Sequence, residues 1–226
     1  MKSIRKIISA AGYGLACILL LALIALAVGV LFQTWRLETG SAWRLRMHRW
    51  LALGFVAFFG LFLLPRTRNN VQWFMKFSHE FTHLLFALLF FRKIHRFKVD
   101  DKDSHVSYSG GWLGYHVITL SPYCIPVFTL ALLPWRFTTG DPIFLCCIDF
   151  LIGFSYAFHL CCWVRQIHPG QTDLTGPGIV KSLLAIALFQ IIGFCLVVLT
   201  PTSGVVLAFR RVFVDFPVAV LSSAGL

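Results

Sequence analysis

The stretch KFSHEFTHLLFALLFFRK, Lys76 to Lys93, places two histidines and a glutamate within five residues of a segment otherwise suited to lipid. Glutamate is scarce here: Glu38 and Glu80 are the only two in the chain. His79, Glu80 and His83 spell HExxH. Residues four apart on an α-helix share a face, so the spacing predicts a helix offering two imidazoles to adjacent corners of one tetrahedral metal site. Glu80 projects about 100° further round the helix. There it can take the proton of a zinc-bound water as that water attacks a carbonyl carbon. From the chain's own His and Glu frequencies, chance supplies roughly 0.002 such motifs. Charged groups inside a membrane helix cost about 2.5–3.5 kcal/mol each and usually mark function. The competing reading sets this helix at the water boundary, with Lys76, Ser78 and Glu80 solvated.

The surrounding chain is lipid-like. Of 226 residues, 58% are apolar and 13% charged, and the mean hydropathy is +0.79. Soluble domains lie nearer about a half and a quarter, so the composition predicts an integral membrane protein with no room for a sizeable soluble module. The net charge of +11 fits Lys and Arg at lipid headgroups. No basic run is interleaved with exposed aromatics, which argues against nucleic acid. The cysteine pairs Cys146-Cys147 and Cys161-Cys162 lie in apolar runs with neither zinc-ribbon spacing nor a disulfide framework.

Working outward, the expected architecture is an all-α integral membrane protein of about six transmembrane helices, with a short β-hairpin after the HExxH helix. Residues 1–226 form a single membrane domain: 1–70 two accessory apolar helices, 71–200 the motif-bearing core, 201–226 an interfacial segment. The apolar runs are Ile7 to about Phe32, Trp50 to Leu64 (stopped by Pro65), Val71 to Phe91, Trp112 to Leu133, Ile143 to Val164 and Gly178 to Leu199, the last ended by Pro201 and Gly204. Arg36, Arg44, Arg46 and Arg49 read as a basic loop with Glu38. In KIHRFKVDDKDSHVSYSGG, Ile94, Arg96 and Lys98 alternate with His95, Phe97 and Val99. Asp100 to Asp103 is turn-like and Val106 and Tyr108 resume the alternation, which predicts the hairpin. The basic start favours a cytoplasmic amino terminus, while the Lys and Arg count of the later loops favours a cytoplasmic hairpin.

A catalytic zinc needs a third protein ligand and one open position. Candidates are Asp149, Asp173, His105, His116, His159 and His168. Asp173 lies in HPGQTDLTGPG, a polar Gly/Pro-rich interruption of a kind that lines cavities at membrane depth, or else it is a helix N-cap. His159 and Asp149, ten residues apart on about one helix face, are candidates to orient a ligand imidazole; His159 is also an alternative ligand, or a buried histidine satisfied by a backbone carbonyl. In SPYCIPV, Pro122 and Pro126 predict a kink or a gap admitting water or substrate.

HExxH at the start of an apolar helix, a hairpin after it, and a later helix opened by a Gly-rich segment with an aspartate together resemble the site-2 protease family of intramembrane zinc metalloproteases, chiefly its compact bacterial members. The resemblance covers Trp73 to Leu199. It implies that His79, His83 and Asp173 bind Zn2+, that Glu80 is the general base, and that the hairpin holds an extended substrate by strand addition. It also implies a membrane protein substrate and a bacterial cytoplasmic membrane; with no peptide-binding module in the chain, substrate gating falls to the membrane helices, the first two runs or a separate regulatory or adaptor protein. The family's later motif commonly has an asparagine and a proline upstream of an Asp-Gly pair. Here Leu174 follows Asp173, and the only asparagines are Asn69 and Asn70. Substrate positioning or oxyanion stabilisation then falls to Gln171, Thr172 or backbone N–H groups.

The expected function is therefore an intramembrane zinc endopeptidase. The alternatives are a non-catalytic membrane protein keeping a structural metal site for partner binding, and a metal-ion carrier. A carrier would more naturally spread its ligands over several helices.

Overall fold

The structure, a computed structural model, describes residues 42–100, 104–110, 113–138, 140–168 and 170–203, with the single positions 18, 210, 214, 215 and 218. The expected helix at Ile7 to Phe32 and the interfacial reading of 201–226 lie almost wholly outside the described residues. The chain divides into two compact units, residues 45–168 and residues 1–44 with 169–226.

The larger unit begins within α1 (Ala42–Leu63), which is followed by α2 (Pro65–Leu89), the two bent by 109° at the single residue between them. Proline explains the corner. Pro65 has no N–H and suits the first helical position, while the residue before a proline is pushed into extended backbone; Leu64 sits at φ −68°, ψ 123°. The helix carrying HExxH thus starts at Pro65, six residues before the apolar run, because its first turns accept the polar Arg66 to Asn70. The expected boundary at residue 70 falls inside it. Arg44, Arg46 and Arg49, expected in a loop, lie in the first turns of α1, and the Arg49 guanidinium stacks over the Trp50 ring at 5.3 Å.

After α2 the hairpin forms as expected, with β1 (Lys93–Lys98) antiparallel to β2 (His105–Ser109). The register shifts between Ile94 and Arg96, leaving His95 as the extra residue of a bulge. Phe97 of β1 meets the Phe77 ring of α2 edge-on at 6.2 Å. The fourth apolar run is not one helix. It forms α3 (Tyr115–Cys124) and α4 (Val127–Leu132), bent by 79° and followed by a 3-10 turn, Leu133–Phe137. Pro126 sets the break by holding Ile125 extended at φ −113°, ψ 111°. Pro122 stays inside α3.

Helix α5 (Pro142–Gln166) closes this unit, its start capped by Asp141, whose side chain accepts from the Ile143 N–H at 3.1 Å. Phe58, Met75, Ala157, Phe158 and Cys162 form a buried cluster of α1, α2 and α5 residues. Phe58 sits edge-on to Phe154 and Phe158 at 5.4 and 5.9 Å. The first helix is integral to this packing: a Cβ on Gly54 of α1 would overlap the Phe150 carbonyl of α5, and one on Gly153 would overlap the Leu51 carbonyl. The backbones touch at this crossing, and only glycine permits it.

In the smaller unit, the short helix α6 (Thr172–Thr175) leads into α7 (Ile179–Ser203), which runs through Pro201 to Ser203. The Ser182 hydroxyl donates to the Leu174 carbonyl at 3.0 Å, and Leu174 is fully buried. Among the described residues two helices, Pro142–Gln166 and Ile179–Pro201, are long and apolar enough to cross a membrane, and the number reaches four if each bent pair is one span. The described residues thus support fewer crossings than the six expected.

Candidate metal centre

The HExxH residues lie midway along α2, all facing inward. His79, Glu80 and His83 are each 8% exposed, so Glu80 is not a carboxylate on a solvated boundary. The two imidazoles stand edge to face with ring centroids 4.8 Å apart, and their Nε2 atoms face each other at 3.2 Å. Tyr123, fully buried, packs edge-on against the His79 ring at 5.1 Å.

The partners of the outer nitrogens fix the tautomers. His83 Nδ1 lies 2.9 Å from the Ile118 carbonyl oxygen, which can only accept, so Nδ1 carries hydrogen and donates. His79 Nδ1 lies 2.8 Å from Gln166 Oε1. The amide of Gln166 is oriented by its other end, where Nε2 donates to the Met75 carbonyl at 3.0 Å; its oxygen therefore faces His79, and again Nδ1 donates. With both Nδ1 atoms protonated, neutral imidazoles would turn two Nε2 lone pairs toward each other in a buried space. A cation shared by the two nitrogens relieves that repulsion. Two nitrogens at about 2.05 Å from a tetrahedral zinc would be about 3.3 Å apart, close to the 3.2 Å observed.

A small cavity of about 10 Å³, close to the room one water needs, adjoins His79 and is also lined by Ser78, Pro122, His159 and Gln166. His159, 7% exposed on α5, is thus brought to the same cavity as a motif histidine. Asp149 is not. Its carboxylate takes the Arg136 guanidinium bidentately, from Nε at 2.5 Å and Nη2 at 2.6 Å, inside the unit. A wider apolar groove of about 370 Å³ shares Phe128, Ser155 and Phe158 with the small cavity, and Phe58, Leu61 and Phe74 are also in its wall.

The remaining candidates are placed as follows. Asp173 is half-buried in the first turn of α6, with Gln171 Nε2 3.4 Å from its Oδ2. The other amide atom of Gln171, Oε1, is enclosed and makes no hydrogen bond among the described residues. Thr172 is exposed at the start of α6, His168 is exposed just past α5, His116 is exposed on α3, and His105 is half-buried on β2. Sequence reasoning missed Gln166, Tyr123 and the Ile118 carbonyl. A signal for the first was present: Ser155, His159, Cys162 and Gln166 recur at helical spacing as a polar stripe on a largely apolar helix. Comparison of the chain with protein-family models, curated proteins and solved structures finds no match.

Proposed function

We propose that this protein is an integral membrane zinc metalloendopeptidase that cleaves a peptide bond in or near a transmembrane segment of another protein. The observation that carries the reading is the pair of buried, convergent Nε2 atoms 3.2 Å apart, each on a ring whose Nδ1 is already committed as a donor. That donor set suits a borderline-soft divalent cation. When bound, zinc supplies a Lewis acid that polarises a carbonyl and lowers the pKa of water toward about 7. His79 and His83 would hold the cation through Nε2. The third ligand is assigned to Asp173 on the sequence likeness, and a bacterial cytoplasmic membrane follows from the same likeness.

Glu80 accepts a proton from the attacking water and returns it to the leaving nitrogen. Its burial supports this role, because a carboxylate shielded from bulk water exchanges protons with its immediate neighbours. The apolar groove beside the histidine cavity suits a large apolar side chain of the substrate next to the scissile bond. A substrate helix hides its carbonyls in its own hydrogen bonds, so cleavage requires local unwinding. An outer edge of the β1–β2 hairpin offers the extended strand a partner.

The test uses purified full-length protein in nanodiscs. Wild type and Glu80→Gln should each retain one zinc, whereas His79→Ala and His83→Ala should lose it. Wild type should cut a single-span reporter whose helix carries a Gly-Pro break, and Glu80→Gln should cut it at least about 100-fold more slowly. Zinc retention with equal cleavage in wild type and Glu80→Gln refutes the mechanism. Zinc binding without cleavage by wild type favours a non-catalytic metal site.

A further inference from the structure

We infer that Gln166 and Pro122, which belong to no part of the HExxH motif, are the positioning residues that aim His79 and His83 at the metal. The inference rests on the zinc reading above.

Gln166 acts as a rigid bracket. It ends α5, and its amide spans two α2 groups four residues apart, accepting from His79 Nδ1 at 2.8 Å and donating to the Met75 carbonyl at 3.0 Å. The second bond prevents the amide from flipping, so the first always presents an acceptor to Nδ1. This holds the proton off Nε2 and fixes the plane of the ring. A histidine that binds metal through Nε2 requires both.

Pro122 acts by omission. In an unbroken helix the Ile118 carbonyl would accept from the N–H of residue 122. Proline has none, and it sits at that position inside α3. The Ile118 oxygen instead accepts from His83 Nδ1 at 2.9 Å and from the Ser121 hydroxyl at 2.8 Å. The proline near the C-terminal end of this short helix thus has a function beyond bending it: it opens a backbone acceptor for the second imidazole. In this structure the break in the run lies at Pro126, four residues later.

The experiment measures Co2+ binding to the full chain in detergent, by competition with a chromophoric chelator and by the visible absorption of the bound cobalt. Apo-protein unfolding is followed in parallel. Gln166→Leu should weaken Co2+ binding about 10- to 100-fold. Gln166→Glu keeps the acceptor on Nδ1 and loses only the Met75 bond, so it should bind within about threefold of wild type or tighter, with a shifted cobalt band. Pro122→Ala restores the helical N–H, so it should raise the apo unfolding temperature yet weaken Co2+ binding about tenfold. A stability gain paired with an affinity loss has no explanation in packing alone. The inference is overturned for Gln166 if the Leu variant binds like wild type or if Glu loses as much as Leu. It is overturned for Pro122 if the Ala variant keeps wild-type affinity and spectrum. If wild type binds no more Co2+ than His79→Ala, the zinc reading falls with it; if wild type binds and the Gln166 and Pro122 variants match it, only the present inference falls.

Discussion

Asp149 was a candidate for orienting a metal-bound imidazole, and its placement gives that idea a quantitative alternative. The carboxylate is bidentate with Arg136 at 2.5 and 2.6 Å, and the two side chains are 7% and 11% exposed. Removing one partner of such a buried pair leaves the other charge desolvated without it, at a cost of about 3–5 kcal/mol. Arg136 lies in the 3-10 turn and is the more exposed of the two, so the lower end applies. Asp149→Leu should therefore cost about 3 kcal/mol, roughly a 100-fold shift in the folding equilibrium. The double variant Asp149→Leu/Arg136→Met removes both charges, and should return to within about 1 kcal/mol of wild type or exceed it. Unfolding in mixed micelles, followed by tryptophan fluorescence, measures all four corners of the cycle. Zinc content, measured on the same samples, should stay at the wild-type level throughout. Two results refute the reasoning: an Asp149→Leu protein as stable as wild type, or one that is well folded but has lost its zinc.

Other expectations follow from the packing. Gly54→Leu or Gly153→Leu forces apart helices in backbone contact, and each should cost at least about 1–3 kcal/mol in the same unfolding assay, while Gly60→Leu, where the space is open, should cost little. Phe91, two residues past the end of α2, has a left-handed φ of 53° and is 97% exposed, so Phe91→Gly should stabilise by about 0.5–1 kcal/mol, read as a raised unfolding temperature. Leu61→Trp narrows the apolar groove and should raise KM for reporters with an aromatic residue beside the scissile bond, leaving those with alanine there unchanged.

Much of this was legible because proline and run length act locally. Pro65, Pro126 and Pro142 each mark a helix start or a break, and the alternation from Lys93 to Tyr108 gives the hairpin without reference to the rest of the chain. What escaped depends on contacts distant in sequence or on limits of the local rules. Arg44, Arg46 and Arg49 read as a loop because charge mimics a linker, yet arginine is a good helix former and the helix simply starts earlier. Pro201 read as a terminator, but in a last turn it forfeits one hydrogen bond and the helix runs on for two residues. Gln166 drew no reading because its role depends on Met75 and His79, 91 and 87 residues away. The Ile118 carbonyl has no sequence letter of its own.

The two positioning groups share a further property. Gln166 and the Ile118 carbonyl are neutral acceptors, whereas a carboxylate would push electron density through the imidazole and make it a stronger ligand. Stronger donation binds the cation more tightly and leaves it less positive, and a less positive cation polarises a carbonyl less. In a buried site that difference is poorly screened. Neutral partners thus favour electrophilicity over affinity. Gln166→Glu separates the two outcomes. If the site is catalytic, this variant should hold zinc within about threefold of wild type or tighter while its cleavage rate on the Gly-Pro reporter falls about tenfold at saturating substrate. Equal or faster cleavage at tighter binding would show that the neutrality of Gln166 has no catalytic purpose.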